Sequence, residues 1–341
     1  MQRITLAGRL IITLIVVAAV YFGFRYFAGS RLAPAVVTTT RPAPGTETDT
    51  EMDTAGETDA ETGSTPFGKG SAAAAFAYEA PAPVNGKLKG VVELGASGFN
   101  SFIVRIDKDR RWKLEKADFG NSLVLENMAS DDDVRKGLKA YIGQMLDYGV
   151  GGRDIHFVVS SGAQKAAGTA IIIKALKSLN YVVNTVTPEK EGVLGLRSVL
   201  PPAYAGKAFV TDIGSGNTKI SWLAGGAPTS VETYGAKYFG NGTADATVAT
   251  DVKAKAEQVP AALRQTCFII GGVPFEMAKK VRSGKERYTV LKAADTYQLD
   301  NAKSKAGLNI YKSIAKATGC QQFVFDWDAN FTIGYLLTLP Q

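Results

Sequence analysis

The pattern of apolar and polar residues predicts alternating strands and helices from about residue 87 onward. Apolar runs at residues 155–159 and 267–270 each lead through a glycine-containing turn into a helical stretch. A helix is predicted at residues 130–148, where Ser130 and three aspartates mark its start, because acidic residues favour a helix N-terminus. The other predicted elements are strands at 112–116 and 181–185, helices at 187–200 and 244–258, and a closing helix from Asn330. This alternation is typical of an α/β fold.

Two predicted hairpins share one plan, in which an apolar strand reaches an acidic residue, a glycine-containing turn follows, and a second strand leads away. The first covers residues 91–107 (VVELGASGFNSFIVRID) and the second covers residues 208–223 (AFVTDIGSGNTKISWL). The acidic residues are Glu93 and Asp212, and Asp212 is placed to orient a metal ion or a water. A single copy is equally well interpreted as an ordinary β-hairpin. Two copies favour duplicated halves that face one ligand.

Both turns carry the residue types that bind a phosphate. Glycines let backbone N–H groups point at an anion without a Cβ in the way, and small polar side chains add donors. Ser161, in the turn after the strand at 155–159, is a further candidate. The predicted phosphate-binding residues of the two hairpins are Gly95, Ser97, Gly98, Asn100, Gly214, Ser215, Gly216, Asn217 and Thr218.

These hairpins resemble those of the actin, sugar kinase and heat-shock ATPase superfamily, and within it most of all the exopolyphosphatase and guanosine pentaphosphate phosphatase family. The resemblance covers about residues 87–337 and stops before the position of that family's larger helical C-terminal domain. It implies two ribonuclease H-like subdomains that flank a cleft. The first is expected at residues 87–204, closed by a C-terminal helix at 329–337, and the second at residues 205–328.

The resemblance also implies roles for particular residues. In that family a glutamate at the start of the helix after the strand at 181–185 is the general base for the attacking water. Glu191 matches this acid and Glu189 is its near neighbour, so both are expected to be catalytic. From the residues alone, the alternative that these glutamates only cap the helix stays open.

A metal ion, expected to be Mg²⁺, would lie at Glu93 and Asp212, where it would neutralise charge on the phosphoryl oxygens. Gly271 and Gly272 stand between a strand and a helix, where the superfamily packs a nucleoside or the distal part of a phosphate chain.

Lys219 departs from the family, because the phosphatases have a glutamate at the matching position. A cation there is expected to bind phosphate. Two function classes therefore remain. One is a membrane-tethered phosphohydrolase acting on polyphosphate, guanosine pentaphosphate or a nucleoside triphosphate. The other is a non-hydrolysing actin-like module that binds ATP or polyphosphate as a sensor or scaffold, or as a homo-oligomeric filament.

Charge and composition limit the kinds of ligand that the chain is expected to bind. The chain has 341 residues and a formal net charge of +7, although residues 46–63 carry only acidic charges. This excess favours anionic ligands, and no aromatic-and-basic nucleic-acid module is visible, so phosphate ligands are favoured over nucleic acid.

The only histidine, His156, lies in an apolar strand, which argues against a Ser-His-Asp hydrolase. Cys267 and Cys320 are expected to be buried thiols, with a disulfide as the alternative.

The N-terminal region predicts a membrane anchor and a tether. Residues 10–24 are almost continuously apolar, so residues 1–28 are expected to form an uncleaved single-pass helix, with a cleaved signal peptide as the alternative. Arginines occur on both sides of this run, so they do not decide its orientation. Nucleotide and polyphosphate ligands favour a cytoplasmic folded domain. Residues 29–86, rich in Ala, Pro, Thr and acids, predict a flexible linker.

Overall fold

The computed structural model describes residues 76–95, 98–119, 131–164 and 167–340, all within one compact unit, Gly68–Gln341. The predicted anchor at 1–28 lies outside these residues, as does most of the predicted linker. No helix in the described ranges is both long and apolar enough to cross a membrane.

The first subdomain is a five-stranded sheet with helices on both faces. Its antiparallel strands are β1 (Lys87–Gly95), β2 (Gly98–Ile106) and β3 (Trp112–Phe119); β4 (Ile155–Val159) and β5 (Val183–Thr185) are parallel to β1, in the order β3-β2-β1-β4-β5. Alternate side chains of each strand point to opposite faces. Val92 and Leu94 therefore pack with α1 (Asp131–Asp147) and α2 (Ala167–Ser178), whereas Val91 contributes to the core on the other face.

The second subdomain has a six-stranded sheet in the order β10-β11-β9-β6-β7-β8. Its strands are β6 (Ala208–Ile213), β7 (Asn217–Ala224), β8 (Ala227–Tyr234), β9 (Thr266–Ile270), β10 (Tyr288–Val290) and β11 (Gln322–Asp326). Three helices cover one face: α4 (Asp245–Ala256), α5 (Gly272–Lys279) and α6 (Ala302–Thr318). Cys267 and Cys320 are buried free thiols in this core, as predicted.

The helix α3 (Pro188–Val199) lies between the two sheets. Its Leu194 packs with the first sheet and with α7 (Phe331–Leu336), while Leu196 packs with the second sheet. Two glycines permit this close approach. A Cβ on Gly192 would lie 1.9 Å from Oγ of Ser230, and a Cβ on Gly334 would lie 1.9 Å from the carbonyl oxygen of Leu194. The cleft therefore has a tightly packed helix at its base.

The chain before β1 differs from the predicted linker. Phe76 and Tyr78 pack against the core of the second sheet, where the ring of Phe76 lies 5.4 Å from that of Tyr204 and 5.6 Å from that of Phe268. Farther along, the backbone N–H of Val84 donates to Asp107 at 2.9 Å. The linker predicted for residues 29–86 thus extends too far, because aromatic side chains attach its final part to the folded core.

Most predicted elements are confirmed, including the helices at 130–148 and 244–258, the glycine-bearing hairpins and the closing helix. Two strands of the second sheet, β8 and β10, were not predicted. β8 (APTSVETY) is mostly polar and pairs with β7 at one edge of the sheet, and β10 has only three residues. β8 lacks the apolar alternation on which a strand prediction depends, and β10 is too short to show one.

Candidate functional site

A cavity of about 460 Å³ opens between the two subdomains. The two predicted hairpins reach it from opposite sides, and α3 presents its N-terminal turn to it. Most of the predicted site residues line this cavity: Glu93, Gly95, Asn100, Glu191, Asp212, Gly214, Ser215, Gly216, Asn217, Lys219, Gly271 and Gly272. The fold therefore brings together hairpins that are more than a hundred residues apart in the sequence.

At the base of the cavity, Lys219 of β7 forms an ion pair with Oε1 of Glu191 on α3. The other carboxylate oxygen, Oε2, accepts hydrogen bonds from the backbone N–H of Ser161 at 2.7 Å and from its hydroxyl at 2.6 Å. Asn217 donates to Oγ of Ser161 at 2.9 Å and to Glu232 at 2.7 Å. Lys219 and Glu191 are almost completely buried, so each charge depends on the other for compensation.

Glu191 is presented to the cavity by the start of α3. Thr187 caps this helix, because its hydroxyl accepts the backbone N–H of Lys190 at 3.2 Å, and Pro188 occupies the first turn. The side-chain cap of this helix is therefore Thr187, and Glu189 and Glu191 lie in its first turn. Glu189, two residues before Glu191, is exposed on another side of the helix and does not line the cavity.

Glu93 and Asp212 form the acidic part of the cavity wall. Oε2 of Glu93 accepts hydrogen bonds from Asn100 and from Asn330, each at 3.0 Å. Burial, together with the nearby charges of Glu191 and Asp212, raises the pKa of Glu93 to about 7, although the hydrogen bonds from Asn100 and Asn330 oppose this shift. Burial likewise raises the pKa of Asp212 to about 6, although Lys219 opposes this shift. Within the described ranges, no hydrogen bond or ion pair joins the Asp212 carboxylate.

The glycine turns allow the two halves to approach closely. A Cβ on Gly216 would lie 3.2 Å from Cα of Gly162 in the other subdomain. Gly271 has a φ of +113°, and a Cβ there would lie 2.3 Å from the carbonyl oxygen of Ile213. No other residue type suits Gly271, because this backbone region disfavours a side chain and the space for one is already filled.

Thr218 and Ser161, like Glu189, do not line the cavity. Thr218 is fully buried and does not line the cavity, because alternation along β7 turns Asn217 and Lys219 toward the cleft and Thr218 away from it. Ser161 contacts the cavity only through Glu191, to which its backbone N–H and hydroxyl donate. Gly98 is the first residue of β2. Ser97 lies outside the described residues.

The sequence did not reveal Lys303 on α6 as a site residue. Its Nζ would lie 3.6 Å from a Cβ on Gly272, so a second cation lies beside the glycine turn that begins α5. Burial lowers the pKa of Lys303, and the nearby Lys237 lowers it further, whereas Glu276 opposes this shift. Two neighbouring lysines that repel one another favour a multivalent anion between or beside them. No local motif marks Lys303, whose position depends on how α6 packs.

The carboxylates are compatible with Mg²⁺ bound together with a phosphate ligand. Among the described residues, no group of three or more Asp, Glu, His or Cys side chains could by itself hold a metal ion. Mg²⁺ is commonly held by one or two carboxylates, with substrate phosphates and waters completing its coordination. Glu93 and Asp212 supply two carboxylates whose negative charges burial disfavours, so a cation beside them would relieve that cost.

The fold is shared with solved structures of Ppx/GppA phosphatases. The PPX-GPPA enzyme of Aquifex aeolicus is 16% identical, with a TM-score of 0.57 over 74% of this chain and 99% of that chain. An exopolyphosphatase of Cytophaga hutchinsonii is 13% identical, with a TM-score of 0.58 over 74% of this chain and 97% of that chain. No family model and no curated protein sequence matches. The comparison confirms the predicted α/β fold with two subdomains.

Proposed function

We propose that the cleft binds the phosphate chain of inorganic polyphosphate or of a nucleotide polyphosphate, and that the protein hydrolyses the terminal phosphoryl group. The observation that carries this proposal is the buried Lys219–Glu191 pair, a cation and a carboxylate held together beside the glycine turn of the second hairpin. The cation is suited to a phosphate oxygen, and the carboxylate is suited to the proton of an attacking water.

When the ligand binds, Lys219 exchanges its contact with Oε1 of Glu191 for a contact with the phosphate. A phosphate oxygen that enters the cavity offers Lys219 a second acceptor, and the backbone N–H groups of the glycine turns add further donors. Glu93 and Asp212 would repel the phosphate unless a cation lies between, so they are the residues expected to hold Mg²⁺. That ion supplies Lewis-acid neutralisation of the phosphoryl charge.

Hydrolysis then depends on Glu191. When Lys219 turns to the phosphate, Oε1 of Glu191 becomes able to accept a proton from water, while Ser161 keeps Oε2 in place. The water oxygen forms a bond to the terminal phosphorus as the bond from that phosphorus to the bridging oxygen breaks. The products are orthophosphate and a chain shorter by one phosphoryl group. Lys219 thereby couples the arrival of an anion to the release of the base.

The hydrogen bonds around Glu191 also support a second function. Both oxygens of Glu191 already accept hydrogen bonds from Lys219 and Ser161. If Lys219 keeps this bond when the ligand binds, no base is released, and the protein binds ATP or polyphosphate without cleaving it. In that case it is a sensor, a scaffold or a subunit of a homo-oligomeric filament.

A phosphate-release assay separates the two functions. The full-length protein is incubated with polyphosphate, guanosine pentaphosphate and ATP, with Mg²⁺ or with a chelator. We expect Mg²⁺-dependent release that falls about 10²-fold or more in Glu191→Gln. Glu189→Gln, whose side chain is exposed and outside the cavity, is the matched control and should keep its activity. If tripolyphosphate binds in calorimetry but no phosphate is released, the non-hydrolysing function replaces the first proposal.

We further propose that residues 1–28 attach the protein to a membrane by a single span and that the folded part is cytoplasmic. The continuous apolar run at residues 10–24 and the phosphate-binding character of the cleft support this. Protease accessibility in intact spheroplasts tests the orientation. Digestion of the folded part by added protease would place it outside the cell, away from nucleotide supplies.

A further inference from the structure

A chain of three hydrogen bonds connects the edge strand β8 to the carboxylate of Glu191. Glu232 of β8 accepts from Nδ2 of Asn217 at 2.7 Å, and the same nitrogen donates to Oγ of Ser161 at 2.9 Å. The hydroxyl of Ser161 in turn donates to Oε2 of Glu191 at 2.6 Å. The chain begins in the second subdomain, crosses to the first at Ser161 and ends on α3, so both halves of the cleft take part in it.

Glu232 is the outermost member of this chain. It is exposed, and it lies directly opposite Lys219 in the antiparallel pairing of β7 with β8. Opposite residues share one face of a sheet, as do residues two apart in a strand, so Glu232 points to the same side as Lys219 and Asn217. Lys219 forms its ion pair with Glu191. The Glu232 carboxylate on this face is bound by Asn217 instead.

The direction of the whole chain follows from its first acceptor. A carboxylate only accepts, an amide side chain has two hydrogens to donate on its nitrogen, and a hydroxyl has one. Glu232 therefore requires the NH₂ group of Asn217, which also faces Ser161. Because the oxygen of Ser161 accepts this bond, its only hydrogen goes to Glu191. Asn217 is 7% exposed and uses both side-chain hydrogens in these bonds, so neither remains for a phosphate.

We propose that Glu232 is a positioning residue for hydrolysis, because it fixes the direction of the hydrogen bonds that hold Glu191. This inference rests on the proposed function, in which Oε1 of Glu191 accepts a proton from water while Ser161 holds Oε2. Without the carboxylate of Glu232, the amide of Asn217 is free to turn its oxygen toward Ser161 and to take the hydroxyl hydrogen. Glu191 then keeps only the backbone N–H of Ser161 at Oε2, and its aim at the water is less well defined.

Steady-state phosphate release by the full-length protein tests this role. The substrate is whichever of polyphosphate, guanosine pentaphosphate and ATP the wild type cleaves fastest. Glu232→Gln keeps the size of the side chain but can donate as well as accept, so we expect kcat to fall about tenfold without a rise in KM. A residue that only fills space would tolerate this change. Glu257→Gln, at another exposed glutamate of the second subdomain, is the matched control and should behave like the wild type.

A double-mutant cycle shows whether Glu232 acts through Ser161. Ser161→Ala removes the hydroxyl and keeps the backbone N–H, so it should lower kcat as well. In the Ser161→Ala background, Glu232→Gln should cause no further loss, because the group through which it acts is gone. Wild-type kcat in Glu232→Gln, or losses that multiply in the double variant, would overturn this inference and leave the proposed function intact. If the wild type releases no phosphate from any of the substrates, hydrolysis fails and this inference with it.

Discussion

The ammonium group of Lys219 and the carboxylate of Glu191 meet across the two subdomains, one on β7 and the other at the start of α3. Both side chains are at least 95% buried, so water contributes little to either charge. A buried pair of this kind is costly to break by removing one partner, because the remaining charge stays desolvated. The pair therefore contributes to the stability of the closed cleft as well as to its chemistry.

Replacement of one partner should destabilise the protein more than replacement of both. We expect Lys219→Met to lower the free energy of unfolding by about 3 kcal/mol, and Lys219→Met combined with Glu191→Gln to recover at least half of that loss. Chemical denaturation followed by tryptophan fluorescence measures both. Lys253→Met, which breaks the exposed Lys253–Glu257 pair, is the matched control and should cost less than about 1 kcal/mol. Glu191→Gln alone is measured as well. If the double variant loses the sum of the free energies of unfolding that the two single variants lose, the prediction is contradicted.

Gly192 is expected to be essential for the packing of α3 on the second sheet. A methyl group there would meet Oγ of Ser230 at 1.9 Å and its Cβ at 2.8 Å, so Gly192→Ala should destabilise the protein by about 2 kcal/mol or more. Gly143→Ala provides the contrast, because that helical glycine has no atom within 4 Å of the new methyl group. Thermal unfolding should show a small increase in stability for Gly143→Ala. If Gly192→Ala leaves the stability unchanged, α3 does not pack as closely on the second sheet as the structure shows.

The half-buried carboxylate of Asp212 should make stability depend on pH. Its pKa is raised to about 6 in the folded protein from an ordinary 3.8, so the folded state holds this proton more tightly than the unfolded chain. The Asp212 contribution to stability is therefore lost as pH rises from about 4 through about 6. In chelator-containing buffer, Asp212→Asn should stabilise the protein by about 2 kcal/mol more at about pH 7.5 than at about pH 4.

Denaturation curves at the two pH values provide the measurement. If the stability gained through Asp212→Asn is no greater at the higher pH, the pKa of Asp212 is not raised in the folded protein. Addition of Mg²⁺ should reduce the difference between wild type and Asp212→Asn, provided the ion binds where we propose.

His156 offers a spectroscopic test, because it is the only histidine in the chain. Burial lowers its pKa below the ordinary 6.5, the neighbouring Lys89 lowers it further, and Asp154 partly opposes them. Its imidazole proton resonance in NMR should therefore titrate with a midpoint below 6.5. Removal of the Lys89 charge in Lys89→Met should move the midpoint upward. A midpoint at or above 6.5 in the wild type would show that the side chain is more exposed than the fold indicates.

The fold could be predicted largely because its signals are local. Each hairpin combines an apolar strand, an acid and glycines within about twenty residues, and the capping residues Thr187 and Asn330 stand directly before their helices. β8 was missed because it is an edge strand whose polar residues, such as Glu232, leave no apolar alternation. The end of the linker was misplaced because Phe76 and Tyr78 lie among alanines and prolines, and their partners are far along the chain.

From the sequence, only those site residues that lie in or beside a glycine turn could be predicted. Asn330 caps α7 and also donates to Glu93, although 237 residues separate the two. Nothing local relates these residues, because the contact exists only after both subdomains form. The same is true of Lys303, which reaches the cavity only through the packing of α6. The position of Thr218 required the register of β7, because a shift of one residue reverses which side chains face the cleft.

The attachment of Phe76 and Tyr78 has a mechanical consequence. The chain that enters the folded part is held first by the second subdomain, through rings around Tyr204 and Tyr288, and only then passes to the first subdomain at β1. A pull on the preceding residues is therefore borne by contacts to the second subdomain before it reaches β1. The contacts of Phe76 and Tyr78 with the second subdomain would therefore have to break before such a pull could load β1 and the first sheet.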